Sequence, residues 1–238
     1  MNTGFKNLDK VFNIEQAQLV LLTGRTFVDM LSGDIANNIC LANDRFEVVE
    51  IVSCFKEYLI KRLFINQAEV NYRTWCLKDQ YTEDELKQIG QATVNLIEVT
   101  KRLPRIVEND IFWGLKELKK YIYNFVNTHA DRDEISSLLI IDISPFNSYP
   151  DKKDKKYYKY KRFTKAISKY AKRYNCPIMM ICTNEKILEK IKKYADRIIN
   201  VKDRADDGAF NVSIIENNNI IGSCKLNYNN EYRRFEDC

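Results

Sequence analysis

Short apolar runs with no polar alternation restrict the fold of this chain more than any other feature. Ser137–Ile143 reads SLLIIDI. An uninterrupted run of this length is a strand buried on both faces, and such strands belong to parallel sheets covered by helices on either side. Leu19–Leu22 (LVLL), Glu47–Cys54 (EVVEIVSC) and Pro177–Cys182 (PIMMIC) are further runs of this kind. Helical spacing fills the intervals. It is expected over about Ser32–Leu41, over Lys56–Phe64, over Leu115–Val126 and over Ile187–Ala195. Phe163–Tyr174 has Ile167, Tyr170 and Ala171 inward and lysines outward. Thr82 and Glu85 form a capping box that opens another helix, with Leu86, Ile89, Thr93 and Leu96 as its apolar stripe. Phe5, Leu8 and Val11 have the spacing of a short docking helix after a Thr3-Gly4 turn.

The order ends differently. Arg105-Ile106-Val107 reads as an edge strand and Arg197–Val201 as another strand. Phe210–Ile215 and Ile221–Asn227 alternate around Asn217-Asn218-Asn219, which is a hairpin pattern. The expected fold is therefore α/β: one domain over residues 1–238, with a mostly parallel central sheet, helices on both faces and a C-terminal antiparallel hairpin. Apolar residues at 45% and charged residues at 30% suit a globular domain with a full core. The sequence has no run long enough to span a bilayer and no signal-peptide pattern at Met1, so a cytoplasmic protein with no membrane partner is expected. The 7 Cys form no CxxC pair and several lie in apolar runs, which points to buried free thiols. A single His129 leaves no basis for a histidine metal site or a His-based triad. Trp75 and Trp113 read as packing residues.

Charge is concentrated. Asp151–Arg173 holds nine Lys, two Arg and two Asp, a local +9, and the remainder (27 basic, 31 acidic) is −4. Lysines that bind phosphates, interleaved with tyrosines 157, 158 and 160 that stack bases, make this a candidate single-stranded DNA site. Its named residues are Lys152, Lys153, Lys155, Lys156, Tyr157, Tyr158, Lys159, Lys161 and Arg162. A solvated lysine face is the other reading of the same residues. The +9 against −4 favours a polyanion partner.

Leu19–Cys40 has the strand, glycine turn and helix of a phosphate site. Its chemistry departs from that layout. Where a phosphate loop supplies Gly-Lys-Thr, the chain has Asp29-Met30-Leu31.

Several strings in this order resemble the C-terminal, RecA-like motor domain of DnaB-type replicative DNA helicases. Thr3-Gly4-Phe5 to Leu8-Asp9 is similar to the family's TGF-x-x-LD opening. Leu19–Arg25 is similar to its strand before the phosphate loop, and Leu138–Asp142 to its Walker B strand. Lys61-Arg62-Leu63 with Gln67–Val70, Lys165–Pro177 and Tyr194-Ala195-Asp196 resemble further family segments. Gly222–Leu226 with Tyr232–Glu236 resembles its ending. The resemblance implies a RecA-like P-loop NTPase fold, with the family's N-terminal domain absent. It also implies a degenerate nucleotide site at Arg25, Asp29, Met30, Leu31 and Asp142. The family's catalytic Glu falls near Ser53, with Glu57 the nearest carboxylate. Its sensor Gln becomes Cys182-Thr183-Asn184, and its Lys and Arg fingers become Asn217-Asn218-Asn219. Only Asp142 keeps its role residue, and it is read as an Asp ending a buried strand.

The expectation is a module of DNA replication with no catalytic residues, metal or cofactor. Its partners would be single-stranded DNA, a replicative helicase or copies of itself. A divergent active ATPase or helicase, using ATP and magnesium, and an inert subunit or cap of a helicase ring are the alternatives.

Overall fold

The computed structural model describes residues 1–42, 48–53, 56–68, 71, 81–99, 103–108, 114–128, 137–144, 155–205 and 208–238. The elements run α1 (Lys6–Asp9), β1 (Leu19–Gly24), α2 (Val28–Ala42), β2 (Val48–Ser53), α3 (Lys56–Ala68), α4 (Glu83–Val99) and β3 (Arg105–Glu108). They continue α5 (Leu115–Thr128), β4 (Ser137–Asp142), α6 (Lys155–Arg173), β5 (Ile178–Ile181) and α7 (Glu185–Ile191), which leads into a 3-10 turn at Lys192–Tyr194. The last four are β6 (Arg197–Arg204), β7 (Phe210–Glu216), β8 (Asn219–Asn229) and β9 (Arg234–Asp237).

The strands form one sheet in the order β3-β2-β4-β5-β1-β6-β7-β8-β9. From β3 to β6 the pairs are parallel, and from β6 to β9 they are antiparallel. The apolar runs are the parallel strands, and their residues divide between two cores with a period of two. Val20, Leu22, Leu138, Ile140, Met179 and Ile181 face α2 and α3. Leu19, Leu21, Leu139, Ile141, Ile178 and Met180 face α5, α6 and α7. No helix among the described residues is long and apolar enough to cross a membrane.

Several expectations shift. The α2 helix opens at Val28 rather than near Ser32, so Asp29, Met30 and Leu31 lie in its first turn. The α6 helix opens at Lys155 rather than Phe163, because Tyr160 extends the inward stripe of Phe163, Ile167 and Ala171 by a further turn. The capping box is present: Thr82 N–H donates to Glu85 Oε2 at 2.8 Å and Glu85 N–H to Thr82 Oγ1 at 3.3 Å. The stripe behind it is not core, since Leu86 is 54% exposed. The hairpin turns on Asn217 and Asn218 alone, at φ 49° and 65°, which Asn tolerates better than most residues. Beyond it the sheet gains β9, which pairs with β8 and buries Phe235. Cys40, Cys176 and Cys182 are buried thiols, while Cys224 is half-buried and Cys238 exposed. Trp75, Trp113, His129, Cys54 and Cys76 lie outside the described residues.

Candidate functional site

In open α/β sheets ligands sit outside the carboxyl ends of the strands. Here β1 ends at Gly24, and β6 runs close beside it. A Cβ at Gly24 would stand 2.5 Å from the Val201 carbonyl oxygen and 2.9 Å from Val28 Cγ2, so the position admits only glycine without a backbone shift. The turn from β1 to α2 is the three residues Arg25, Thr26 and Phe27. Phe27 has φ 61°, a conformation that costs a bulky L-residue roughly 1–2 kcal/mol. Its ring centroid lies 4.5 Å from that of Tyr228 and 5.3 Å from that of Phe210, and Phe235 completes a four-ring cluster. Aromatic pairs of this geometry contribute about 0.5–1.5 kcal/mol each beyond buried area, enough to offset the strained backbone.

The first turn of α2 follows. Asp29 places a carboxylate at the positive end of the helix dipole, where it is stabilising and where an incoming anion would meet it. Met30 Sδ lies 2.9 Å from Tyr228 Oη, and the Met30 carbonyl accepts from Arg62 Nη1 at 2.7 Å. Leu31 is fully buried. The nearby Ser32 hydroxyl donates to the Asp29 carbonyl at 2.7 Å. These groups are turned into the core of the protein or into the helix itself.

Asp142 ends β4 and is buried. Its Oδ1 accepts from Ser144 N–H at 2.8 Å. Burial raises its carboxyl from the ordinary 3.8 to about 6, the Ser144 bonds hold it back, and the charge of Asp29 adds to the rise. The neighbouring Cys182 thiol is pushed up to about 11 by burial, so it is protonated and unreactive at neutral pH. No group of three or more His, Cys, Asp or Glu among the described residues is placed to hold a metal ion.

A cleft of about 570 Å³ opens beside the turn, lined by Gly24, Arg25, Thr183, Asn200, Lys202 and Asp203 among others. The exposed Arg25 guanidinium stands across it, 3.7 Å from Glu185 Oε1 and 3.5 Å from Asp203 Oδ2. Asn184, which follows Thr183, caps α7 by accepting from Ile187 N–H at 3.2 Å. Glu57 is exposed in the first turn of α3.

The basic segment is described only in part. Lys152 and Lys153 lie outside the described residues, and Lys155, Lys156 and Tyr157 are described only as backbone of α6. Tyr158 and Lys159 are exposed and Lys161 is half-buried. The Arg162 guanidinium sits 4.7 Å from the Tyr158 ring centroid. Tyr160 is a correction. It is 2% exposed in the core beneath α6, and burial pushes its hydroxyl up, so its ring is unavailable to a base. Its spacing to Phe163, Ile167 and Ala171 was the sequence signal for this.

Sequence reasoning missed a buried polar hub. Asp34, on α2, meets Arg62, on α3, at 2.6 Å, with both side chains buried. Asn66 Nδ2 and Phe235 N–H also donate to Asp34, at 3.1 and 2.8 Å. Arg62 donates in addition to the Arg233 carbonyl at 2.7 Å. Nothing local in either helix announces a pairing between residues 34 and 62. Other residues in the helicase-like strings also hold the fold. Asp9 accepts from Thr3 N–H and Oγ1 at 2.6 and 2.7 Å. Asp237 accepts from Lys6 and Asn7 N–H at 2.8 and 2.9 Å, and Asp196 accepts from Leu19 N–H at 2.9 Å.

No protein-family model matches the sequence. No curated protein matches it. Solved structures match it over 100% of its length. The ATPase domain of one DnaB-like helicase does so at TM-score 0.78 and 15% identity, with 90% of that chain covered. A second DnaB-like replicative helicase, described with its interactions with primase, does so at TM-score 0.75 and 14% identity, with 61% of that chain covered. RadB recombinase does so at TM-score 0.61 and 14% identity, with 99% of that chain covered. The fold is RecA-like, with a parallel core and antiparallel C-terminal strands, and it matches DnaB-like helicase ATPase domains along the full chain.

Proposed function

We propose that this chain is a RecA-fold binding module of a DNA-replication assembly that does not hydrolyse ATP. The first turn of α2 carries the reading. A triphosphate needs backbone N–H groups left open by glycine, a Lys ammonium and a hydroxyl for magnesium. The turn has Phe27 packed onto Tyr228, and α2 opens with Asp29, Met30 and the buried Leu31. A carboxylate facing the phosphates repels them, and no Lys in that turn offsets it. ATP and magnesium do not fit these side chains, and no catalytic step through them is derived.

One observation favours the second reading, a divergent ATPase. Asp142 stays at the end of β4 with its carboxyl raised to about 6, and perturbed carboxylates cluster at functional sites. Calorimetric titration with magnesium–ATP, followed by a turnover assay with DNA present, separates the two. No binding at millimolar ATP and no turnover are expected. Turnover abolished by Asp142→Ala would overturn the module.

The partner proposed is single-stranded DNA, engaged through Lys152–Arg162, with a replicative helicase or a second copy of the chain as the protein partner. The likeness to a replicative helicase and the local +9 support this. Changing Lys155, Lys156, Lys159 and Lys161 together to Glu is expected to weaken single-strand binding. The salt slope should flatten by roughly 0.7 for each phosphate that is no longer neutralised. Unchanged affinity would remove the segment from the reading.

A further inference from the structure

The basic segment forms α6, but the sheet topology gives α6 two neighbours. The α5 and α7 helices pack on either side of it over the same core. Together α5, α6, α7 and the 3-10 turn carry 16 basic and 3 acidic residues, net +13. The rest of the chain (22 basic, 30 acidic) is then −8. On the α2 side, α2, α3 and α4 carry 4 basic and 7 acidic residues, net −3. The sheet separates a strongly positive layer of helices from a mildly negative one.

The three acids of the positive layer are engaged by other groups. Glu117 accepts from Gly114 N–H at 3.1 Å, Glu185 faces Arg25 at 3.7 Å and Glu189 pairs with Lys192 at 3.0 Å. The outer face of α6 is one continuous stripe. Tyr158, Arg162, Lys165, Lys169 and Lys172 recur at alternating four- and three-residue intervals and are all exposed, over roughly 21 Å of helix. Aromatic rings lie beside the cations. Arg162 covers the Tyr158 ring at 4.7 Å and Arg173 the Tyr174 ring at 5.4 Å. Tyr123, from α5, is 40% exposed and packs edge-on to Tyr170 and Tyr174.

We infer that the whole α5–α6–α7 face is a sequence-independent docking surface for the phosphodiester backbone of nucleic acid, extending beyond the segment proposed above to lysines of α5 and α7. A field of this size and single sign attracts a polyanion. Cation-backed tyrosines add a platform for unstacked bases that an acidic protein would not use. The surface shares α6 with the proposed DNA-binding segment, so the test is placed on the other two helices.

Fluorescence anisotropy with labelled oligo-dT, and with a duplex of the same length, is measured across a salt series on the full chain. One variant combines Lys116→Glu, Lys119→Glu and Lys120→Glu, and another Lys186→Glu, Lys190→Glu and Lys193→Glu. All six positions are exposed, and thermal melting confirms that each variant folds. Each triple variant is expected to bind about tenfold or more weaker at low salt, with the salt slope reduced by roughly 0.7–0.9 for each phosphate that is no longer neutralised. Arg at the same positions is expected to keep both. Weaker binding of the single strand alone, or of both probes, supports the surface and tells stacking from backbone recognition. Affinity and slope unchanged in both triple variants would overturn it, even where the α6 variant loses binding. Polyglutamate displacing the oligonucleotide as well as an unlabelled oligonucleotide of equal charge does would also overturn it and mark the face for an acidic protein.

Discussion

Arg62→Ala is expected to destabilise the protein by about 3–5 kcal/mol, the usual loss when one member of a buried ion pair is removed. The reason lies in what remains. Asp34 is buried, and burial pushes its carboxyl up against the opposing pull of Arg62. With Arg62 gone, the charge keeps only the Asn66 amide and the Phe235 N–H. The Met30 and Arg233 carbonyls lose their guanidinium donors at the same time, and each unsatisfied buried acceptor costs a further 1–3 kcal/mol or so before relaxation. The hub ties α2 and α3 to the ending of the chain, so its loss is felt beyond a single pair of groups. The packing is close as well, since a Cβ on Gly33 would stand 3.0 Å from Arg62 Nη1. Urea denaturation of Arg62→Ala, Asp34→Leu and the double variant forms the test. The double variant is expected to recover part of the loss, because it leaves no charge behind. A loss below about 1 kcal/mol in Arg62→Ala would show that the pair does not hold these helices.

Asp142→Asn is expected to stabilise the protein at pH 7–8 by about 2–3 kcal/mol, the equivalent of a shift of about 2 pH units. The sign follows from burial. The folded chain holds the Asp142 proton to about pH 6, whereas an unfolded Asp releases it near its ordinary 3.8. Folding is therefore favoured by this group below about pH 4, and the advantage is lost as pH rises through 6. Asn has no charge to bury, and its side-chain oxygen can still accept from Ser144 N–H. The difference between variant and parent should grow from near zero at pH 4 to its full size above pH 6. Denaturation curves at several pH values, compared as differences, read it directly. Equal stability across that range would mean that Asp142 is solvated rather than desolvated.

A carboxylate kept at such a cost belongs to a position with a role or a history of one, and stability is commonly given up at functional sites. The same group thus serves two measurements. Stability reports its burial, and the ATP titration reports whether anything still uses it.

How far the sequence could be read depended on the range of each signal. The parallel strands were legible because a continuous apolar run needs cover on both faces. The Thr82–Glu85 cap and the Asn217-Asn218 turn were legible because each forms within four residues. The helix boundaries at Val28 and Lys155 were less so. Asp29 and the lysine run look like breaks in an apolar pattern, yet both lie at helical positions that face outward or toward the helix end. Leu86 carried helical spacing without burial, since spacing states which residues share a face and not what covers it.

For the candidate site, the sequence by itself determined which side chains stand in the first turn of α2, and so which phosphate chemistry is missing from that turn. Tertiary structure decided what fills the place. The cluster of Phe27, Phe210, Tyr228 and Phe235 is assembled from positions about 200 residues apart, and no local pattern encodes that meeting. The Asp34–Arg62 pair joins two helices through a contact that either side chain alone would make too costly to bury. The positive face likewise belongs to the fold. In sequence it is one lysine run and two ordinary helices. Crossovers that leave α5, α6 and α7 on one side of the sheet add their charges together, because charge acts through space and the topology sets the distances.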